Sequence, residues 1–292
     1  MSQAVKAKKK TCSMLTDHPG KALLLFAFPM ILGNLFQQFY NIMDSVVVGQ
    51  FVSENALASV GASYAITNVF IAVAIGGGTG SSVIISQFLG AGQITKMKTA
   101  VSTTLLNFLV ISVFLGVFGL AYSDRILALM NVPGNIFEDA ALYLSIYFLG
   151  LPFLFMYNVQ ASVFNSLGDS RTPLWLLIFS SLLNIVLDLL FVIQFGMAVR
   201  GVAVATLIAQ GLSAVLSFCL LMRKLRGYEH RREEFRFYDR GMMLSMVKVA
   251  IPSILQQSIV QMGILLVQSV VNTFGSSAIA GYSAGTRIES VS

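Results

Sequence analysis

The sequence predicts an all-α membrane protein with several spanning helices, and three observations support this fold class. Of the 292 residues, 56% are hydrophobic and only 11% are charged, whereas soluble domains carry charge at about 25% of positions. The mean hydropathy is +0.78. The charges are clustered between apolar stretches that are long enough to cross a hydrocarbon core of about 30 Å. In that medium a helix satisfies its own backbone hydrogen bonds, so we predict a multi-pass helical protein.

Charges, prolines and glycines bound seven apolar stretches, and an eighth begins near residue 277. Each of the seven is long enough for a spanning helix. The predicted spans are 24–48, 56–82, 99–121, 137–163, 174–195, 200–222 and 248–273. We accordingly predict a cytoplasmic tail (1–23), a six-helix lobe (24–222), a cytoplasmic basic linker (223–247) and the start of an incomplete second lobe (248–292).

The basic residues predict the orientation in the membrane. Sixteen of the 19 lysines and arginines fall in the tail, the linker and the alternate loops that would share their side of the membrane. By the positive-inside rule that side is cytoplasmic, so the N-terminus is expected inside. The net charge of +6 then indicates the orientation of the protein in the membrane. Contact between the basic residues and anionic lipid is a further interpretation. We therefore expect a lipid bilayer as partner and no nucleic acid.

An internal repeat predicts a two-lobe architecture. Residues 27–51 resemble residues 250–274 at a shift of 223, and the pairs Pro29/Pro252 and Gln38/Gln261 coincide. Chance likeness between hydrophobic helices is the alternative, but shared proline and glutamine at fixed spacing argue against it. Six spans separate the copies, so both run in the same direction, as in the parallel-repeat transporters that place the substrate between two halves.

Two acidic residues, Asp44 and Asp188, lie more than a turn from the ends of the predicted spans. Between Trp175 and Met197 there is no lysine, arginine or histidine. A charge at the centre of a spanning helix costs roughly 2.5–3.5 kcal/mol and usually marks an ion or proton path. A structural aspartate, hydrogen-bonded to a neighbouring helix or reaching an interface, is the alternative.

Depth along the helices groups these aspartates with two more polar residues. Asp44, Asp188 and Thr206 lie four to seven residues from the outer ends of their spans. At 1.5 Å per residue they share a layer roughly 6–11 Å below the outer surface. Asn184 precedes Asp188 by four residues and shares its helix face. Such oxygen donors suit Na⁺ or a proton. Asp44 aligns with Val267 in the second copy, which favours a site-specific role over a merely architectural one.

Other features of the spans are interpreted as structural or as lining a substrate cavity. Pro29 lies inside the first span and is expected to kink it. The segment "IGGGTGSS" (75–82) predicts close helix approach. For a polar stripe on the fourth span, cavity lining and interhelical hydrogen bonding are both open. That stripe comprises Tyr143, Tyr147, Asn158, Gln160 and Asn165. Tyr143, Asn158 and Gln38 are the candidate substrate-cavity residues. No catalytic, zinc-ligand or nucleotide motif appears, so we do not expect an enzyme.

Several motifs together resemble the multidrug and toxic compound extrusion (MATE) family. They are "QFLGAGQ" (87–93), "NSLGDSRTP" (165–173) and "NIVLDLLFV" (184–192), and the likeness extends from Pro29 to "GYSAGTRIES" (281–290). The resemblance implies twelve helices in two six-helix lobes. It also implies export of amphipathic, often cationic compounds by alternating access, in exchange for H⁺ or Na⁺. We expect no cofactor other than that ion. We also expect a monomer in the bacterial inner membrane.

The family's coupling residues correspond by position to four residues of this sequence. They are Asp44, Asn184, Asp188 and Thr206, the four that share one predicted depth, and Na⁺ is a candidate ligand there. Tyr143 and Asn158 are weaker correspondences. The chain departs from the family where an Arg-Gly-x-Gly-Asp loop is usual and "NSLGD" stands instead.

Two other functions are weighed against the antiporter. A flippase for lipid-linked oligosaccharides would need a basic cavity to hold a pyrophosphate, and no lysine or arginine lies inside the first six predicted spans. A non-transporting scaffold or receptor would need no paired carboxylates at one depth. Uptake of dye or cation by vesicles under imposed pH or Na⁺ gradients distinguishes the three.

Overall fold

The structure, a computed structural model, describes residues 19–228 and 235–289. Within those ranges it is entirely helical, with eight α-helices. They are α1 (Pro19–Phe51), α2 (Glu54–Gly90), α3 (Ile94–Leu129), α4 (Gly134–Ser166), α5 (Arg171–Leu189), α6 (Ala198–Arg226), α7 (Arg240–Asn272) and α8 (Ser276–Glu289). A π-helical segment, Leu190–Gln194, continues α5.

The first seven helices are each long and apolar enough to cross a membrane. This confirms the prediction of a multi-pass, all-α membrane protein. The shortest candidate span, α5 with its π-helical continuation, has 24 residues, and α2 has 37. The eighth predicted stretch corresponds to α8, which begins at Ser276.

Several helices extend beyond the predicted spans because charged and capping residues outside the apolar core also favour helix. Helix α1 begins at Pro19 rather than at residue 24, and proline is well suited to the first turn of a helix. Helix α6 continues into the predicted linker as far as Arg226, where cationic side chains complement the helix dipole. The segment between α6 and α7 is therefore 227–239, of which 229–234 lie outside the described residues.

Successive long helices joined by short turns run in alternating directions, so the connections collect at two ends. We call one the basic end; it carries the α2–α3 and α4–α5 loops and the segment 227–239. There Lys224 Nζ contacts Asp169 Oδ2 at 2.6 Å. At the opposite end Asn135 Nδ2 donates to Ser276 Oγ at 3.1 Å, which joins the first turn of α4 to α8.

Helices α2 and α4 form the centre of the bundle. Large side chains of α4, among them Phe148, Phe155 and Phe164, are fully buried. On α2, Ser59 and Ser63 donate to carbonyl oxygens of α4 at 3.4 and 3.3 Å, besides bonds within their own helix. Burial of small hydroxyl residues lets the two backbones approach closely. Helix α1 lies at the edge and packs mainly on α5.

Helix α7 packs along α2 at two glycines of the "IGGGTGSS" segment. A Cβ placed on Gly80 would lie 2.6 Å from the Cα of Ala250, and one on Gly76 would lie 2.7 Å from the Cα of Ile254. Real Cβ atoms do not approach backbone so closely, so only glycine fits. The prediction of close helix approach at this segment is confirmed.

The far end of α7 is held by amide hydrogen bonds. Gln268 Nε2 donates to Asn272 Oδ1 at 2.9 Å, and Asn272 Nδ2 donates to the carbonyl oxygen of Met130 at 2.9 Å. Both amides are buried, with 3% and 1% of their surface exposed. Helix α7 is thus fixed to the α3–α4 turn at the end opposite its glycine contact.

Candidate functional site

The two intramembrane aspartates meet where α1 crosses α5. Asp188 is completely buried and Asp44 is 7% exposed. Their carboxyl groups lie within hydrogen-bonding reach of each other. The predicted depth layer is therefore a lateral contact as well, which the sequence could not establish.

An amide and a hydroxyl extend the pair onto α6. The Asn184 side chain lies between Asp188 and Thr206. With its nitrogen turned toward the carboxylate, it donates to Asp188 Oδ2 at 2.8 Å, and its oxygen accepts from Thr206 Oγ1 and from the Thr206 backbone N–H, both at 3.2 Å. This orientation satisfies both ends of the amide. The structure thus brings together all four predicted residues, and their role in cation coupling stays a prediction.

Tyr40 is a fifth member of this cluster that the sequence reasoning missed. It lies one turn before Asp44 on α1, so both side chains occupy the same face. The tyrosine interacts with both aspartates and with Tyr143, and its hydroxyl is within hydrogen-bonding reach of Thr206. The spacing of four residues from Asp44 was a signal that could have identified it. We call Tyr40, Asp44, Asn184, Asp188 and Thr206 the carboxylate cluster.

The electrostatics of the cluster favour one bound cation. Two unit charges 4 Å apart repel by about 4 kcal/mol at an effective dielectric constant of 20. Among the described residues, no N–H or O–H donor reaches the buried Oδ1 atom of Asp188. In such a place two adjacent carboxyl groups are stable only when one of them is protonated or when a metal cation lies between them. The oxygen donors of the cluster fit either H⁺ or Na⁺.

A cleft between α4 and α6 borders the cluster. It is small, with a volume of about 10 Å³, close to the space that one water molecule needs. Thr206 belongs both to its wall and to the carboxylate cluster. Its other lining residues are Tyr143, Ile146, Tyr147, Gly150, Ala203, Leu207 and Gln210. Tyr143 lines this cleft, and its role in a substrate cavity stays a prediction.

The remaining predicted site residues lie elsewhere. Gln38 is half-buried on α1, and its Oε1 accepts from Asn41 Nδ2 at 3.3 Å. Asn158 Nδ2 donates to the carbonyl oxygen of Leu154 in its own helix at 2.8 Å. Pro29 is buried within α1, which is continuous from Pro19 to Phe51. The cavity role of Gln38 and Asn158 and the kink at Pro29 stay predictions.

The π-helical segment directly follows the aspartate of α5. It begins two residues after Asp188, and the Phe195 N–H donates to the carbonyl oxygen of Leu190 at 3.2 Å, a five-residue step. Gly196 then ends the helix with φ of +60°. Single π-helical turns are frequent at functional sites. The apolar sequence of this segment carried no signal for it.

The "NSLGD" loop holds an ion pair at the basic end. Asp169 accepts from the Thr172 N–H at 3.1 Å, from Thr172 Oγ1 at 2.8 Å and from Lys224 Nζ at 2.6 Å. Burial alone would raise the pKa of Asp169, but the bonds from Lys224 and Thr172 outweigh it and lower that pKa. The aspartate therefore joins the start of α5 to the end of α6.

Comparisons with known proteins agree on one family. The family model MatE matches residues 29–190. The chain is 30% identical to "Probable multidrug resistance protein YpnP" of Bacillus subtilis (strain 168) over 93% of its own length and 60% of that protein. It is also 30% identical to "Probable multidrug resistance protein YoeA" of the same strain, over 92% and 60% of the two chains. The chain thus spans about 60% of the length of these relatives.

A solved structure shares the fold. The MATE multidrug transporter DinF-BH superposes with a TM-score of 0.85 over 96% of this chain and 63% of that chain. The sequence identity is 24%, so this likeness establishes the fold alone.

Proposed function

The chain belongs to the MATE family of multidrug transporters, and on that premise we propose that it forms the cation-coupling part of an antiporter. The exported compounds are amphipathic and often cationic, and the counter-ion is H⁺ or Na⁺. The observation that carries the proposal is the buried contact between Asp44 and Asp188, extended through Asn184 to Thr206. Members of this family are membrane transporters rather than enzymes, so the proposal gives the cluster a role in cation binding and no role in a chemical reaction.

The cluster links cation occupancy to the position of α1. Helix α1 supplies Tyr40 and Asp44, whereas α5 and α6 supply the other three members. Because α1 packs mainly on α5, the carboxylate contact lies in the main interface of this helix. An empty, doubly charged pair repels α1 from α5, and a cation between the carboxylates draws the helices together.

The difference between the empty and the cation-bound cluster drives transport by alternating access. Ionised carboxylates recruit a cation from the end opposite the basic end, which the positive-inside rule assigns to the outside. Neutralisation moves α1, with bending near Pro29, and expels the substrate from the cavity between two lobes. A ligand shifts a conformational equilibrium only through different affinities for the two states, and the carboxylate contact provides such a difference.

The proposed arrangement in the cell follows the sequence-based division. Residues 24–222 form the first lobe and 248–292 begin the second, with the tail (1–23) and the linker in the cytoplasm. The protein is a monomer in the bacterial inner membrane. The support is the repeat, the biased distribution of basic residues and seven helices of spanning length.

Substitution of Asp188 by asparagine tests the coupling role. The assay is dye export by cells that produce the chain extended to the full length of its relatives, in a host without its own exporters. Asp188→Asn is expected to reduce export to the background level while the protein reaches the membrane in normal amounts. Asp139→Asn, which changes an exposed acidic residue of α4, is the control and is expected to export normally. Export by Asp188→Asn at the level of the control would refute the coupling role.

The lipid-linked oligosaccharide flippase is the weaker alternative. A pyrophosphate ligand requires basic groups, whereas the cleft is lined by tyrosine, threonine, glutamine and apolar residues. The lining of this cleft therefore gives the flippase no support.

A further inference from the structure

Helix α6 carries a polar stripe that begins at the carboxylate cluster. Thr206, Gln210, Ser213 and Ser217 are spaced by four, three and four residues, so their side chains share one face of the helix. Thr206 and Gln210 line the cleft. The two serines continue the same face toward the basic end, beyond the cleft, where the proposed coupling mechanism does not use them.

Helix α6 packs along α4, and three contacts give the register of the two helices. A Cβ on Gly150 would lie 2.9 Å from the side chain of Leu207, and one on Gly211 would lie 3.9 Å from the ring of Phe153. Nearer the basic end, Lys224 Nζ lies 5.7 Å from the centre of the Phe164 ring. Paired residues therefore differ by 57 to 60 in number.

That register places a buried amide of α4 close to the serines. The two contacts that flank Gln160 differ by 58 and 60 in number, so Gln160 is level with residues 218–220, within one turn of Ser217. Gln160, Ser213 and Ser217 are each only 1% exposed. Within the described ranges, Gln160 Oε1 and both serine hydroxyls have no hydrogen-bond partner. We call the contact between α4 and α6 that contains these three residues the polar seam.

Three buried polar atoms without partners in one seam need an explanation. An unsatisfied buried polar group costs about 1–3 kcal/mol, and native proteins contain few of them. Buried water molecules are the usual partners where several polar groups converge. Hydroxyl and amide groups along one helix face, bordering a small cleft, provide such partners for water molecules in a row.

We propose that the polar seam holds a chain of water molecules that leads from the carboxylate cluster to the basic end and serves as the exit of the coupling cation. The cation then leaves through the interior of the first six helices, separately from the substrate in the cavity between lobes. This inference rests on the proposed function for the identity of the cation, but the hydration of the seam does not.

The seam is closed at its lower end by an apolar layer. Leu221, which is completely buried, lies between Ser217 and Lys224 on α6. Beyond it the ion pair of Lys224 with Asp169 occupies the basic end. Movement of Leu221 would connect the seam to the cytoplasm, so the exit opens only in part of the transport cycle.

Cysteine labelling of the chain in inside-out membrane vesicles tests the hydration. In a Cys12→Ser/Cys219→Ser background, Ser217→Cys and Ser213→Cys replace a hydroxyl by a thiol of similar size. The probe is a membrane-impermeant methanethiosulfonate applied to the cytoplasmic side. Since only a hydrated thiol ionises and reacts, both variants are expected to react roughly tenfold faster than Val215→Cys. Val215 lies between the two serines at the same depth, but on the opposite face of the helix, where it is 54% exposed. Rates equal to that of Val215→Cys would overturn the proposal.

Cation flux tests the exit role. Gln160→Leu and Ser217→Val make the seam apolar without altering the carboxylate cluster. In proteoliposomes of the chain extended to full family length, each is expected to slow substrate-driven H⁺ or Na⁺ flux by roughly tenfold, as expected when a water path is lost. Ser162→Ala, which removes a hydroxyl of α4 that is bonded within its own helix, is the control. A hydrated seam with unchanged flux in both variants would overturn the exit role. An Asp188→Asn variant with normal flux would instead refute the proposed function.

Discussion

Helices α1 and α7 align at a shift of 223 residues, and each is 33 residues long with an internal proline. Their polar residues differ. Helix α1 places Asp44 in a buried contact with another carboxylate. At the aligned position α7 has Val267, which is 50% exposed, and its neighbour Gln268 is buried instead. An acid in the first copy is thus replaced by a neutral amide on a different face of the second.

The two helices also differ in what they pack against. Helix α1 packs mainly on α5, and that interface contains the contact between the two carboxyl groups. Helix α7 packs against the glycines of α2 and ends in hydrogen bonds between neutral amide and carbonyl groups. The two copies therefore share the length of a helix, while only α1 places an acid in a buried contact with a second carboxylate. On this account α1 is the helix that responds to the cation, and α7 is held by neutral contacts.

Transfer of the acid from one copy to the other is expected to have the largest effect. Asp44→Asn is expected to reduce export to background, because one carboxylate alone no longer needs the cation. Addition of Val267→Asp to that variant is expected to restore nothing, since the new carboxylate is far from Asp188. Dye export by the chain extended to full family length measures both. Recovery in the double variant would show that the copies are interchangeable.

A methyl group in the glycine contact is expected to have the next largest effect. Gly80→Ala forces a Cβ against the backbone of Ala250, and overpacking of this kind lowers the free energy of unfolding by about 1–3 kcal/mol. Gly263→Ala is the matched control on α7, where a Cβ meets no atom within 4 Å. Thermal unfolding in detergent compares the two. Equal melting temperatures would contradict the close packing of α7 on α2.

Loss of the amide contact is expected to have a similar or smaller effect. Asn272→Leu removes the bond to the carbonyl oxygen of Met130 and leaves Gln268 without its partner. Such losses cost about 1–3 kcal/mol when the groups are buried. Thr273→Val alters an exposed neighbour and serves as control. Cation-dependent export by Asn272→Leu should persist, in contrast to the variants of α1, and its loss would show that α7 also takes part in coupling.

The ion pair at the basic end is expected to contribute least, because partly exposed pairs are worth about 0–1 kcal/mol. The pKa of Asp169 is lowered in the folded protein, so the pair stabilises the fold above the unfolded pKa of about 3.9. That contribution is lost as the pH falls through the folded value. Asp169→Asn should therefore reduce the melting temperature slightly at neutral pH and not at the acidic limit. The same reduction at every pH would show that the charge plays no part.

Sequence reasoning predicted the features that depend on periodicity and depth. Long apolar stretches identified every spanning candidate, because a bilayer imposes a minimum length on a helix. Counting residues from the helix ends placed Asp44, Asp188 and Thr206 in one layer, because the rise per residue is fixed. The glycines of "IGGGTGSS" predicted a close approach, although not that α7 would be the partner.

The features that escaped prediction depend on which helices are neighbours. Tyr40 belongs to the cluster because α1 crosses α5 and α6. Its spacing of four residues from Asp44 was the one local signal, and that spacing alone does not show which helices the shared face meets. The polar seam needs the register of α4 on α6, which the side chains at their contact determine. The π-helical segment lies in an apolar run without glycine or proline, so composition gave no sign of it.

The central claim is that the Asp44–Asp188 pair holds one monovalent cation. Infrared spectroscopy of the purified chain tests it directly, because the carbonyl band of a protonated carboxyl differs from the bands of a carboxylate. At neutral pH without Na⁺, the account predicts a protonated-carboxyl band that disappears in Asp188→Asn. Its loss on addition of Na⁺ would identify Na⁺ as the cation that replaces the proton, and its persistence would identify H⁺ as the coupling ion. A spectrum without that band, unchanged by Na⁺ and identical in Asp188→Asn, would contradict the claim.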